Sequence, residues 1–359
     1  MTPARYTTGM TPNLPITTRA LWGRGTPCPY DDVIDVRSPG EFAEDRIPGA
    51  INLPVLDDAQ RAEVGTIYKQ ETAFAAKRLG AGYISANIAR FLATHLADKP
   101  KAYRPLVYCW RGGMRSGSFC HVLAQIGWRV TVLEGGYKTY RERVRTELDA
   151  APPRFTFAII AGATGSAKTR VLHRLAERGE QVLDLEGCAN HRGSLLGNVG
   201  PQPTQKHFES LLIATLDQLD PARRVWVEGE SSRIGSVQVP PALWARLRES
   251  HGVEIQMPPQ GRVQHLLAEY RHFVENPDTL RALLALMPER VGKRQTAEWE
   301  ALIAAGQWED FVASLLAVHY DPGYAASRAK NFPHADRPVP LAGPCPEAID
   351  ATVSELMKR

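Results

Sequence analysis

Long apolar runs are missing from this 359-residue chain; nothing approaches the roughly 20 consecutive apolar residues a membrane helix requires. Residues 1–19 are polar and rich in Pro and Thr without an apolar core segment, so they do not read as a secretory signal. Cysteine is scarce. Five stand apart at 28, 109, 120, 188 and 345, an odd, unclustered set that excludes a disulfide framework and a CxxC metal site. These absences predict a reducing, cytoplasmic setting with no membrane partner. Internal repeats and low-complexity segments are also lacking. Net charge is small, +4, but unevenly spread: residues 1–150 carry 20 Lys/Arg against 15 Asp/Glu, the remainder 23 against 24. Between residues 99 and 145 the count is ten basic to two acidic. That excess suits a phosphate-bearing substrate or a polyanion, although on its own it reads first as a solvated basic face.

What is present is ample apolar content, 43% of the chain, and a length that predicts two domains or three. Val33-Ile-Asp-Val36, Gly49-Ala-Ile-Asn-Leu53, Leu106-Val-Tyr108 and residues 128–133 read as strands, and residues 71–97 and 116–125 as helices. Strands alternating with helices predict a parallel sheet. A break at Ala150-Ala-Pro-Pro153 predicts an interdomain linker. The continuous apolar run 155–161 then reads as a buried parallel strand, with a helix over 168–178 and further strands at 181–185, 225–228 and 253–257. From Gln260 to about Ser327 the pattern is helical, and the last thirty residues are Pro-rich before a short terminal helix.

Two loops carry chemistry. The first is Cys109-Trp-Arg-Gly-Gly-Met-Arg115-Ser116, entered from a strand and left by a helix. Inward-turned amides and a helix N-terminus make an anion nest, for which Gly112 and Gly113 supply positive φ. Arg111 and Arg115 add charge, and Met114 and Ser116 complete the loop. All of these stabilise a thiolate, so Cys109 is the candidate nucleophile. Cys120, eleven residues on, reads as a helical core residue rather than a resolving thiol. The second loop is Gly162-Ala-Thr164-Gly165-Ser166-Ala167-Lys168-Thr169, nearly the G-x-x-x-x-G-K-[ST] phosphate loop, with Ala167 where that pattern has Gly. Its amides would cradle a diphosphate, Lys168 would neutralise it, and Thr169 would hold Mg²⁺. Val225-Trp-Val-Glu228-Gly-Glu230 reads as the acidic strand of such proteins, with Glu228 as a second candidate Mg²⁺ ligand or, equally, a local cap or ion-pair partner. Asn190, His191 and Arg192 follow another strand, where open α/β sheets bind ligands.

Asp35-Val-Arg-Ser-Pro-Gly-Glu-Phe42, Gly49-Ala-Ile-Asn-Leu-Pro54, the Cys109 loop and Leu133-Glu-Gly-Gly-Tyr137 resemble a rhodanese domain. The loop spans seven residues, Cys109 to Arg115, rather than the six of single-domain sulfurtransferases, which matches rhodanese-fold phosphatases and a wider oxyanion cradle. Across the whole chain the sequence resembles the bacterial tRNA 2-selenouridine synthases. Carrying this are Tyr108-Cys-Trp-Arg-Gly-Gly-Met-Arg-Ser-Gly117, Val64-Gly-Thr-Ile-Tyr-Lys-Gln70, Asp184-Leu-Glu-Gly-Cys-Ala-Asn-His-Arg-Gly-Ser194, Val227-Glu-Gly-Glu-Ser-Ser232 and His319-Tyr-Asp-Pro-Gly-Tyr324.

The resemblance implies an α/β chain: a rhodanese domain over 16–145 with a helical insertion at about 57–97, a P-loop NTPase-like domain over 150–330 with a helical C-terminal extension, and a Pro-rich segment with a terminal helix over 331–359. It implies action on the wobble uridine of tRNAs for Lys, Glu and Gln, through the anticodon arm. Geranyl diphosphate alkylates the sulfur of 2-thiouridine, then selenium from selenophosphate, carried on Cys109 as S-selanylcysteine, displaces the geranylthio group. No cofactor is tightly bound in this reading; selenophosphate and geranyl diphosphate are substrates, with Mg²⁺ the candidate metal. Trp110 is a candidate for stacking on a base, or simply packing. Two other readings stay open: a rhodanese-type sulfurtransferase or phosphatase with a nucleotide-binding regulatory domain, and a non-catalytic P-loop adaptor that binds tRNA.

Overall fold

Short aliphatic runs ending at Gly/Arg or Gly/Ser loops become the strands of two parallel sheets, and the loops fall at their carboxyl ends. The computed structural model describes residues 14–19, 21, 25–194, 196–198, 200–285 and 291–358, so most of the Pro/Thr-rich start lies outside the described residues. Two compact units emerge: residues up to 147 with 209–218, and 148–208 with 219 onward.

In the first unit, β1 (Ile16–Thr18), β2 (Asp32–Asp35), β3 (Ile51–Asn52), β4 (Pro105–Tyr108) and β5 (Thr131–Leu133) form an all-parallel sheet ordered β1-β5-β4-β2-β3. β4 is central and every residue of it is buried, which fixes the point where Cys109 leaves the sheet. The insertion is a helix pair, Asp58–Gln70 and Ala73–Ala93. Asp57 accepts from the Gln60 amide at 2.7 Å to start the first helix. Ala76, Gly80, Ile84, Ile88 and Phe91, spaced by three or four, form the buried stripe of the second. Residues 209–218, the C-terminal part of the helix Gln205–Gln218, join this unit because Arg141 pairs with Glu209 and Arg143 with Asp217.

In the second unit, β6 (Thr156–Ala161), β7 (Gln181–Leu183), β8 (Arg224–Glu228), the hairpin β9 (Arg233–Ile234) and β10 (Val237–Gln238), β11 (Gly252–Gln256) and β12 (Arg337–Pro340) follow in sequence. Its main sheet is ordered β12-β11-β6-β8-β7, all parallel. The helices Lys168–Glu177 and Pro346–Leu356 pack together over the sheet, sharing a core of Leu172, Leu175, Trp226, Val353 and Leu356. The helices between Pro259 and Asn331 hold a separate core around Phe273, Leu280, Trp299 and Phe311. Among the described residues no helix is long and apolar enough to cross a membrane.

Three features depart from the sequence reading. The Pro-rich tail contains β12, at the edge of the sheet, the position where a strand tolerates Pro338 and Pro340. The break expected at 150–153 falls just past the division between the units at 147, and it is ordered where a linker gave no expectation of structure: Pro152–Arg154 makes one 3-10 turn with Ala151 and Pro152 buried. β1 was not foreseen, because three residues without alternation give no signal.

Candidate functional site

β4 ends at Tyr108, so Cys109 sits at the carboxyl edge of a parallel sheet, buried, with its carbonyl accepting from the Tyr137 amide at 2.8 Å. The chain then curls. Gly112 has φ +66°, and a Cβ there would press to 3.0 Å on Gly135 N and Leu133 O. Gly113 does not share that conformation: its φ is −97°, and it caps the helix Met114–Ile126. One positive-φ glycine therefore suffices for the turn, where two were expected. The amides of Trp110, Arg111, Gly112 and Gly113 find no acceptor among the described residues, which leaves a row of donors above the thiol. The Ser116 hydroxyl lies 3.2 Å from Cys109 Sγ and 3.2 Å from Gly113 O. Its single proton can be given to Gly113 O or turned towards the sulfur.

The two arginines part company. Arg111 is exposed and makes no ion pair among the described residues, so it is available to an anion. Arg115 is not: its guanidinium donates to both oxygens of Glu41, at 2.7 and 3.3 Å. Burial works against ionising Glu41, but the Arg115 hydrogen bonds still hold its carboxyl below the ordinary range. Arg115 thus braces the loop against the helix Pro39–Glu44. Deeper support comes from Arg37, which grips Asp35 through three contacts of 2.6–3.0 Å and stacks 4.0 Å from the Tyr137 ring. Tyr137 in turn donates to Asp45 at 2.8 Å, and Trp110 lies 5.2 Å from its ring. Met114 is 62% exposed beside the nest. Cys120 is fully buried, and burial pushes its thiol far up, with Cys109 adding to the effect; it is a core residue. Much of the basic excess is spent internally, since Lys99 pairs with Asp32, Arg115 with Glu41, Arg141 with Glu209 and Arg143 with Asp217. Lys101, Arg104, Arg111, Arg129, Lys138 and Arg145 form no ion pair among the described residues.

The second unit holds the phosphate loop between β6 and the helix Lys168–Glu177. Ala167 adopts φ +58°, ψ +30°, so the position where the pattern has Gly does demand a left-handed residue. A Cβ on Gly165 would meet Leu266 at 2.9 Å, and one on Gly162 would meet Ser166 Oγ at 2.5 Å. Lys168 Nζ donates to Gly162 O at 2.9 Å. Ser166 Oγ is buried without a partner among the described residues. Thr164 is pinned through its carbonyl by Arg262 Nε at 2.9 Å, while the same guanidinium donates to Asp321 at 2.5 and 3.1 Å.

Behind the loop three carboxylates converge. Glu186, Glu228 and Glu230 each offer an oxygen within 4.8 Å of the others. Thr169 Oγ1 donates to Glu186 at 3.3 Å. Burial, then repulsion by Glu230 and Glu228, pushes Glu186 up to about 10; burial and Glu230 push Glu228 to about 8; burial also raises Glu230. Lys168 opposes these rises without cancelling them. The segment after β7 closes over the cluster, and a Cβ on Gly193 would collide with the Glu230 and Glu186 carboxylates. Its polar side chains are committed elsewhere. Asn190 donates to Pro201 O at 2.9 Å, His191 Nδ1 accepts from Gly193 N, and Arg192 is held by Glu269. Burial lowers His191, which keeps its ring neutral and an acceptor.

Beside the loop an apolar cavity of about 50 Å³ is walled by Leu266, Tyr270, Phe273, Phe311, Leu315 and Tyr320, with Thr164 at its rim. Sequence reading missed Glu41, Glu186, Arg262 and Asp321 as site residues. Glu186 carried a signal, an acid just past the end of a parallel strand; Arg262, in a helix, carried none.

The AAA-domain family of tRNA 2-selenouridine synthases matches residues 155–336, and the rhodanese-like domain family matches residues 23–143. The chain is 36% identical over 243 residues to the tRNA 2-selenouridine synthase of Nitrosomonas europaea, covering 66% of this chain and 63% of that relative. It is 34% identical over 341 residues to the tRNA 2-selenouridine synthase of Shewanella loihica, covering 86% of this chain and 89% of that one. With a thiol nest in a rhodanese-like unit, a phosphate loop in an AAA-like unit and this identity over most of its length, the chain belongs to the tRNA 2-selenouridine synthase family.

Proposed function

We propose that the chain is a tRNA-modifying transferase that converts 2-thiouridine to 2-selenouridine at the wobble position of tRNAs for Lys, Glu and Gln. The relatives' names support the selenation, and the two loops support a division of the chemistry into two steps. In the first step the uridine sulfur attacks C1 of geranyl diphosphate, and diphosphate departs. The phosphate-loop amides and Lys168 stabilise that leaving group. In the second step selenium replaces the geranylthio group at C2. Alkylation matters here because a neutral thiol leaves where a sulfur anion does not. Cys109 Sγ attacks the selenium of selenophosphate, and the P–Se bond breaks with its electron pair on phosphorus, so S-selanylcysteine forms and phosphite departs, held by the loop amides and Arg111. The terminal selenium then attacks C2 and expels geranylthiolate, and an external low-molecular-weight thiol cleaves the S–Se bond, which leaves selenium on C2 and Cys109 as a mixed disulfide for a second thiol to reduce. Arg115 keeps the loop in shape from its pair with Glu41.

The observation that carries the prenyl step is the apolar cavity sharing Thr164 with the phosphate loop. A phosphate site with an apolar, aromatic-walled recess at its rim suits a diphosphate bearing a hydrocarbon tail rather than a nucleotide. At about 50 Å³ the recess must widen to admit ten carbons, by movement of side chains such as Leu266 and Tyr320. The anticodon arm would meet the unpaired cations of the first unit, Arg111 among them.

The test is incubation of the protein with 2-thiouridine tRNA, geranyl diphosphate and selenophosphate, followed by mass spectrometry of the nucleosides. S-geranyl-2-thiouridine is expected without selenophosphate and 2-selenouridine with it. Absence of both nucleosides sinks the reading, and thiocyanate formation from thiosulfate and cyanide without either of them would favour a plain sulfurtransferase.

A further inference from the structure

We propose that Glu186, Glu228 and Glu230 together form a site for one hard divalent cation, of the Mg²⁺ or Mn²⁺ class, that fills in the absence of any phosphate substrate. Sequence reading offered only Thr169 and Glu228 as ligands, the pair expected beside a bound phosphate. The structure assembles a fuller set from three places: Glu186 lies in the segment after β7, Glu228 ends β8, and Glu230 follows two residues later. Their oxygens approach within 4.8 Å of one another. Lys168 faces this group as a cation, and its ammonium is also engaged by Gly162 O.

A second observation points to a ligand. Glu228 is 1% exposed, and neither of its carboxylate oxygens has a hydrogen-bond donor among the described residues. A buried carboxylate without donors carries a heavy desolvation cost, which a cation bound at both oxygens removes. The donor set is wholly oxygen, with the Thr169 hydroxyl 3.3 Å from Glu186, and oxygen-only sites select Mg²⁺, Mn²⁺ or Ca²⁺ over thiophilic metals. Gly193, lacking a Cβ, lets the backbone after β7 roof the cluster, so a bound ion would be shielded on that side. The inference stands apart from the identity of the phosphate substrate and from the geranylation reading.

The experiment is titration of the full chain with MnCl₂ alone in phosphate-free buffer, read by the loss of the free Mn²⁺ electron paramagnetic signal, with MgCl₂ calorimetry alongside. One ion per chain is expected for the wild type and for Cys109→Ser. Glu186→Gln and Glu230→Gln should each weaken binding roughly tenfold or more. Each glutamine removes repulsion within the cluster, so both variants should melt no lower than the metal-free wild type. Glu186→Asp keeps the charge and shortens the reach, and should bind with intermediate affinity. A wild type that takes up no stoichiometric ion, or Gln and Asp variants that all bind like wild type, would overturn the site and leave a cluster that only shares protons.

Discussion

The two anion-binding loops share open backbone amides and differ in the side chains behind them. In the first unit the charges behind the loop are settled: Arg37 with Asp35, Arg115 with Glu41 and Tyr137 with Asp45. What remains open is a row of backbone amides, Arg111 and one thiol. In the second unit the amides of Thr164, Gly165, Ala167 and Lys168 are likewise without an acceptor among the described residues, and the side chains behind the loop are not settled. Among the described residues Ser166 Oγ and both oxygens of Glu228 are buried without partners, and Ala167 is held left-handed. The first loop is therefore preorganised for a reactive sulfur and needs no ion. The second is incomplete until charge arrives, which fits the diphosphate and the cation proposed for it.

The largest test of this contrast separates the half-reactions. Cys109→Ser should lower selenation on the order of 10³-fold or more while leaving geranylation within about twofold. Lys168→Ala should lower geranylation by roughly 10²-fold or more and leave selenation of already geranylated tRNA intact. Nucleoside mass spectrometry reads both, and a reversal would exchange the roles of the loops.

Arg262 and Asp321 give the next effect. Arg262 holds the loop by the Thr164 carbonyl and Asp321 holds Arg262, so they are positioning residues. Asp321→Asn should raise KM for geranyl diphosphate about tenfold with kcat changed far less, because the loop loses its shape before substrate binds. Arg262→Lys cannot hold Thr164 and both Asp321 oxygens at once, and should do the same. Equal losses in kcat at unchanged KM would show that the pair acts in the reaction itself.

These residues also mark how far the sequence could be read. Cys109 and Lys168 were legible because each lies in a loop whose local pattern, strand then Gly-rich turn then helix, is its own structural context. Arg262 and Asp321 were not, since they meet only when helices 59 residues apart in sequence pack together. The same holds for Arg115, which the loop pattern assigns to an anion and the fold assigns to Glu41, 74 residues away. Gly113 looked like a second left-handed glycine, yet one such turn was enough. β12 escaped because proline argues against a strand unless the strand is at an edge, and edge position is a property of the sheet.

A smaller effect lies in pH. Glu228 titrates near 8 in the fold against an ordinary value of 4.5, so the folded state holds a proton that the unfolded state releases. Between those values the fold loses stability as pH rises. With chelator present, the melting temperature of the wild type should fall from pH 5 to pH 8, and Glu228→Gln should flatten that fall, melting roughly 5 °C higher than wild type at pH 8 and no higher at pH 5. Parallel curves for the two proteins would mean that Glu228 is already paired.

The smallest effect is confined to one methyl group, at Ala167. A left-handed residue other than glycine costs about 1–2 kcal/mol through the contact of its Cβ with the backbone. Replacing it by glycine removes that strain but gives the unfolded chain more freedom, which returns about 0.5–1 kcal/mol. The net gain for Ala167→Gly is then about 0.5–1 kcal/mol, or about 2 °C in the melting of a unit of this size. Catalysis should not gain with it. Strain held at a ligand-binding turn is compatible with a loop already fixed by Arg262, and glycine adds freedom at the residue that starts the helix behind Lys168. A variant that melts higher with KM for geranyl diphosphate unchanged or modestly raised fits the contrast between the loops. One that melts lower would mean that the Ala167 methyl, 4% exposed and packed in the core beneath the loop, contributes more than its backbone strain costs.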